Sequence, residues 1–151
     1  MSSEQKQLPL SALTIDQLIT LKSQFENELQ KLTASIQLTN DTVAKTNSAK
    51  ESLAQFAATE PGKEMLIPIT ESMYMPGVVE DTKRPIIELG TGYFAETSVE
   101  NATSFFNRRL ARLNKQQESL RATFKEKQSQ YQITVQIINQ KLAQQRRAPQ
   151  Q

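Results

Sequence analysis

Residues 65–97 read MLIPITESMYMPGVVEDTKRPIIELGTGYFAET. Four of the chain's six prolines (Pro61, Pro68, Pro76, Pro85) and all four glycines (Gly62, Gly77, Gly90, Gly92) lie within this stretch or just before it. Proline breaks helices and glycine weakens them, so the two flanks are free to be long helices and this middle is not. Two pairs of runs rich in β-formers predict two hairpins over residues 64–97. Met65–Ile69 and Met73–Val79 flank Thr70-Glu71-Ser72, and Pro85–Leu89 and Tyr93–Ala95 flank Gly90-Thr91-Gly92. Pro76-Gly77 is a favoured turn pair, but a turn there leaves only Val78-Val79-Glu80 to return before Asp81. A bulge at Pro76-Gly77 inside a longer strand is therefore expected. Gly90-Thr91-Gly92 joins two strands and lacks a following Lys-Ser/Thr, so it reads as turn chemistry and not as a phosphate loop.

Outward from this middle, both flanks carry heptads. Thr14 with Gln17 three residues on makes a capping box, and Leu13 and Leu18 form a hydrophobic staple. From there the seam steps through Leu18, Leu21, Phe25, Leu29, Leu32 and Ile36, then weakens through Thr39, Val43, Thr46 and Lys50 to Leu53 and Ala57. A helix over 14–58 would be roughly 65 Å long. The second helix starts at Thr97 (with Glu100) or Ser98 and runs to about Arg146. It steps through Val99, Ala102, Phe106, Leu110, Leu113, Gln117, Leu120, Phe124, Lys127, Tyr131, Val135, Ile138 and Leu142. The reading is mainly α: a single domain built as a long antiparallel two-helix coiled coil joined by two β-hairpins, with disordered ends at 1–10 and 147–151. If Ala58 faces Ser98, facing residue numbers add to 156. The paired fours at 21, 25, 29 and at 127, 131, 135 would then match as a shared break in the heptad.

Composition narrows the function. With no His, no Cys and no Trp among 151 residues, there is no basis for a Ser/His/Asp or Cys/His triad, a disulfide or an ordinary zinc site. The carboxylates are scattered along helix faces, so an enzyme is not expected, nor a cofactor or metal. Eighteen Gln and 37% apolar residues suit exposed helices that need partners. No apolar run approaches the ~20 residues of a membrane span, and the first seven residues lack a signal peptide's apolar core. The expectation is a soluble, cytoplasmic protein with no membrane partner and a nuclear pool left open. Residues 1–97 hold 8 basic and 13 acidic side chains, a balance of −5, whereas residues 98–151 hold 10 and 3, a balance of +7. The group Arg108, Arg109, Arg112 and Lys115 reads first as a solvated face and second as a contact for acidic neighbours. Nucleic acid is the least supported partner, since no aromatics interleave and the rest of the chain is acidic.

Two hairpins closing a coiled coil have open edges and little to cover them, which invites pairing with another chain. The residues for such a platform are Leu66, Ile67, Ile69, Met73, Tyr74, Met75, Val78, Val79, Ile86, Ile87, Leu89, Tyr93 and Phe94. Charges at Ile87 and Leu89 are expected to block assembly without melting the helices.

The order helix, two hairpins, helix, with Met65-Leu66-Ile67-Pro68-Ile69-Thr70, Ser72-Met73-Tyr74-Met75-Pro76-Gly77 and Ile87-Glu88-Leu89-Gly90-Thr91-Gly92-Tyr93-Phe94, resembles the alpha class of prefoldin subunits. The likeness covers Leu10 to Gln145; Phe94 and Ala95 depart from the pattern, where Tyr and Val are frequent. It implies a hetero-hexamer of alpha- and beta-class subunits acting as a co-chaperone without ATP. Such a complex holds unfolded actin and tubulin at its coiled-coil tips and passes them to the group II chaperonin. Apolar tip residues are then the candidates for client binding: Leu8, Leu10, Leu13, Ile15, Leu18, Ile19, Ile137, Ile138 and Leu142. Leu18, Ile138 and Leu142, with Val135, also belong to the seam and can simply hold the helices together. The alternative function is a coiled-coil scaffold in a prefoldin-like regulatory complex.

Overall fold

The structure, a computed structural model, describes residues 12–147. Its elements are helix α1 (Ile15–Ala57), strands β1 (Glu64–Pro68), β2 (Tyr74–Val78), β3 (Ile86–Gly90) and β4 (Tyr93–Glu96), and helix α2 (Val99–Arg147). Contacts divide the chain into two units, one of Met1–Thr39 with Gln116–Gln151, the other of Asn40–Lys115.

In the first unit, α1 begins with the expected capping box: the Gln17 N–H donates to Thr14 Oγ1 (3.3 Å) and the Thr14 N–H to Gln17 Oε1 (3.0 Å). These bonds satisfy backbone donors that a helix start leaves open. Parts of α1 and α2 run antiparallel. Tyr131 donates to Glu26 at 2.9 Å and Lys127 pairs with Glu28 at 2.8 Å, straddling the expected match of residue numbers adding to 156. The matched break in the heptads is corrected. Lys22 is half-buried beside Leu21, and Thr134 is fully buried, so the regular three-four alternation runs on through both residues. The break arises only when apolar letters alone are followed. Thr134 can occupy the seam because its hydroxyl donates to the Gln130 carbonyl at 2.8 Å, leaving its methyl to pack; Thr39 does the same toward Ser35.

The second unit holds both hairpins. Its core is Leu53, Ile87, Ala102 and Phe106, with Val99 and Phe105 against it, and the two phenylalanine rings meet edge to face at 5.6 Å. Thr46, buried, donates to the Thr42 carbonyl. Of the two starts read for α2, Ser98 is the cap, accepting the Asn101 N–H at 3.2 Å.

The first hairpin turns through Thr70–Ser72, where Met73 O accepts from Ile69 N (2.9 Å) and Thr70 N (3.2 Å). The expected bulge is absent: β1 and β2 pair without a shift, Met65 with Gly77 and Leu66 with Pro76. Bonds at Ile69–Met73 and Val79–Lys63 fix the odd-numbered β1 positions as the bonded ones. Pro76, opposite Leu66, and Pro68, opposite Tyr74, therefore turn their missing N–H outward, and neither interrupts the ladder. A Cβ at Gly77 would stand 2.6 Å from Ile67 Cδ1, the far end of an exposed side chain that can turn aside.

In the second hairpin the irregularity falls between Glu88 and Gly90: Glu88 faces Phe94, Gly90 faces Tyr93, and Leu89 is the extra residue. The turn residues Thr91 and Gly92 both have positive φ, 50° and 79°. That is the pattern of the primed turn whose twist suits a hairpin. Arg84 ties the preceding loop to β4, reaching Asp81 (3.8 Å) and Glu96 (3.2 Å).

Candidate functional site

Side-chain alternation decides what the hairpins present. In β3, Ile87 points to the helices and is 8% exposed, with Ala95 opposite it, while Ile86 and Phe94 face away; Tyr93, at the turn end of β4, is exposed although it shares the parity of Ala95. The first hairpin offers apolar side chains on both faces. Ile67 and Met75 lie on one, Leu66, Tyr74 and Val78 on the other, and all are exposed. Of sixteen exposed large hydrophobics among the described residues, twelve belong to the hairpins and their turns. A two-stranded ribbon with two bare apolar faces is marginal in water, and apolar surface concentrated this way marks an interaction site.

Eleven of the thirteen residues read as the platform are exposed: Leu66, Ile67, Ile69, Met73, Tyr74, Met75, Val78, Ile86, Leu89, Tyr93 and Phe94. Two are not. Val79 is buried, continuing the ladder by bonds to Gly62 and Lys63, and Ile87 is a core residue. A charge at Ile87 would thus be buried among Leu53, Ala102 and Phe106 and would disturb the fold along with any assembly, so the expected separation fails there. Met65, exposed and missed, belongs to the surface by its strand position.

Among the client-binding candidates, Leu8 and Leu10 lie outside the described residues. Leu18 and Ile138 are buried in the helix pair, Leu13, Ile15 and Ile137 are half-buried, and Ile19 and Leu142 are exposed. Leu142 is thus less covered than a seam position implies. Ile133, also exposed, is a further apolar position that heptad counting passes over because it falls off the seam. The first unit's polar contacts are tightly organised around these positions. Glu26 accepts from Tyr131 and pairs with Lys22 at 3.3 Å. The Tyr131 bond first and Lys22 second hold the Glu26 carboxyl below the usual carboxylate range, while Glu26 pushes the Tyr131 phenol up. Lys127 also stands 5.5 Å over the Phe25 ring, and Lys141 donates to the Leu13 carbonyl. Among the described residues, no three acidic side chains gather to hold a metal, and no helix is long and apolar enough to cross a membrane.

Comparison with known proteins places this arrangement. The model of the prefoldin subunit family matches residues 25–144. Human prefoldin subunit 5 is 35% identical over 135 residues, covering 89% of this chain and 88% of that one. The probable prefoldin subunit 5 of Dictyostelium discoideum is 31% identical over 140 residues, covering 93% and 87%. Among solved structures, the filamentous PFD of Methanocaldococcus jannaschii shares the fold with a TM-score of 0.68 at 17% identity, over 80% of this chain and 97% of that one.

Proposed function

The chain belongs to the prefoldin subunit family, and we propose that it is an alpha-class subunit of a hetero-hexamer with beta-class partners. In this reading the complex holds unfolded proteins, actin and tubulin among them, and hands them to the cytosolic group II chaperonin without ATP. Prefoldin is a co-chaperone family and not an enzyme class, and its subunits form oligomeric complexes with one another.

The twice-apolar first hairpin is the observation that carries this reading. The eleven hairpin side chains are 42–72% exposed, so covering them is worth roughly half of the ~1.5–3 kcal/mol that burying a fully exposed side chain yields, about 8–17 kcal/mol in all. Association costs ~4–15 kcal/mol, so covering most of this surface favours assembly. Client holding needs no catalytic group. Exposed apolar side chains such as Ile19, Ile133 and Leu142 offer weak contacts, and several subunits acting together retain a client that each would release.

The test is light scattering from denatured actin diluted into the co-expressed complex, comparing wild type with Ile19→Ser, Ile133→Ser and Leu142→Ser combined. The variant complex should elute as an assembled hexamer and let more actin aggregate. Equal suppression by both would assign client binding to other subunits.

A further inference from the structure

Within the second unit an open groove of about 650 Å³ runs beside the hairpins, lined by α1 from Thr42 to Phe56, by β3 from Pro85 to Glu88, and by Phe106 and Arg109 of α2. That volume is typical of ligand sites. Its floor is apolar, formed by Leu53, Phe56, Ile87 and Phe106, and two cations, Lys45 and Arg109, stand on its walls. The fifteen positions of α1 from Thr42 to Phe56 span about 21 Å, the length of about six residues of extended chain.

Along α2 beside this slot the charge is one-sided. From Asn101 to Gln117, α2 carries Arg108, Arg109, Arg112 and Lys115 and no carboxylate. Among the described residues, the ion pairs involve Lys22, Arg84 and Lys127, and none of these groove cations. Arg108 reaches only the Ser104 hydroxyl, at 3.4 Å. Glu88, the carboxylate among the lining residues, accepts the Gly92 N–H at 3.3 Å across its own hairpin turn. A half-buried guanidinium beside apolar surface gains more from an arriving carboxylate than an exposed one does, because the local dielectric is lower.

We propose that this groove is a docking site for a short acidic segment with apolar anchors, carried by a partner protein other than the subunits of the complex. Apolar side chains of the segment fill the floor, and its carboxylates meet Lys45 and Arg109, with Arg108, Arg112 and Lys115 extending the positive field. The groove shares Ile86 with the assembly face, whereas the first hairpin and the outward Phe94 lie outside its lining and stay available for subunits. This goes beyond client holding, since the groove selects for charge, whereas the exposed tip residues do not.

Fluorescence anisotropy on the assembled, co-expressed complex tests it. The probes are an octapeptide of two leucines, one phenylalanine, three aspartates and two glycines, and its twin with lysine for each aspartate. The acidic peptide should bind about tenfold or more tightly than the basic one, the size expected of one or two hydrogen-bonded charge pairs. The paired substitutions Lys45→Glu and Arg109→Glu should remove that binding and confer binding of the basic peptide. Lys45→Gln with Arg109→Gln should show the loss alone if the reversed charges impair folding. Equal binding of both peptides, or unchanged binding in the charge-altered complexes, overturns the proposal. So does binding by the free chain but not by the complex, which would show that a neighbouring subunit covers the groove. Gel filtration and actin suppression by the same samples report separately on the holdase reading.

Discussion

The same substitution at two phenylalanines of the second unit should have opposite consequences. Phe106 is 8% exposed in the core with Leu53, Ile87 and Ala102, while Phe94 is 68% exposed on the outward face of the second hairpin. Phe106→Ala removes a packed ring and leaves a cavity, at a cost of about 3–5 kcal/mol. For a chain of this size that lowers the melting temperature by roughly 6–20 °C, at 2–4 °C per kcal/mol. Phe94→Ala touches nothing buried in the lone chain, where its effect should lie within about 0.5 kcal/mol. In the complex, a covered Phe94 contributes ~1.5–3 kcal/mol, so its loss should raise the dissociation constant roughly 10- to 100-fold. Circular dichroism melts of the chain alone and sedimentation of the co-expressed complex at falling concentration separate the two effects. If Phe94→Ala melts the lone chain as Phe106→Ala does, or leaves the complex as tight as wild type, the division between core face and assembly face is wrong.

Thr91 holds φ at 50° in the first position of the second hairpin's turn, where a β-branched residue is strained. Thr91→Asn should therefore stabilise the chain by about 1 kcal/mol in urea titration, and no gain would mean that the turn is not of the primed type. Glu26, whose carboxyl is pulled down by Tyr131 and then Lys22, contributes stability that is present above its unfolded pKa and lost as pH falls through the lower folded value. Tyr131, pushed up by Glu26, contributes stability present below its own unfolded pKa and lost as pH rises through the raised one. Glu26→Gln should flatten both ends of the profile of melting temperature against pH; persistence of either limb would place its origin in other groups.

The element order was legible because prolines and glycines crowd into residues 61–92 and heptads fill what remains. Where the reading slipped, it followed letters in place of geometry. Lys22 and Thr134 occupy seam positions because a long aliphatic stem or a hydroxyl bonded to its own helix can sit there, and neither counts as apolar in a sequence. The bulge assigned to Pro76-Gly77 ignored parity. With the turn fixed at Thr70–Ser72, Pro68 and Pro76 both fall on non-bonded positions, so the ladder needs no detour. Parity also places Ile87 with Ala95 on the helix side of the second hairpin, which could have kept Ile87 out of the platform. Of the groove, only Arg109 had a linear signature, as a member of the basic group of α2; the floor and Lys45 are brought beside it from separate elements.

Burial is distributed so unevenly that folding of the first hairpin is coupled to assembly. The core of the second unit rests on Leu53, Ile87, Ala102 and Phe106, contributed by the two helices and the second hairpin, and the first hairpin adds no member to it. The first hairpin gains its own ladder bonds and little apolar burial, a balance that leaves two strands marginal in water. A partner that covers Leu66, Tyr74 and Val78 on one face, or Ile67 and Met75 on the other, binds the folded hairpin and not the frayed one, and so stabilises it by mass action. Amides in β1 and β2 should therefore exchange with solvent at nearly the intrinsic rate in the lone chain and become protected in the complex, while those around Phe106 are protected in both. The surface that makes the subunit dependent on its neighbours is thus also the one that makes the neighbours part of its fold.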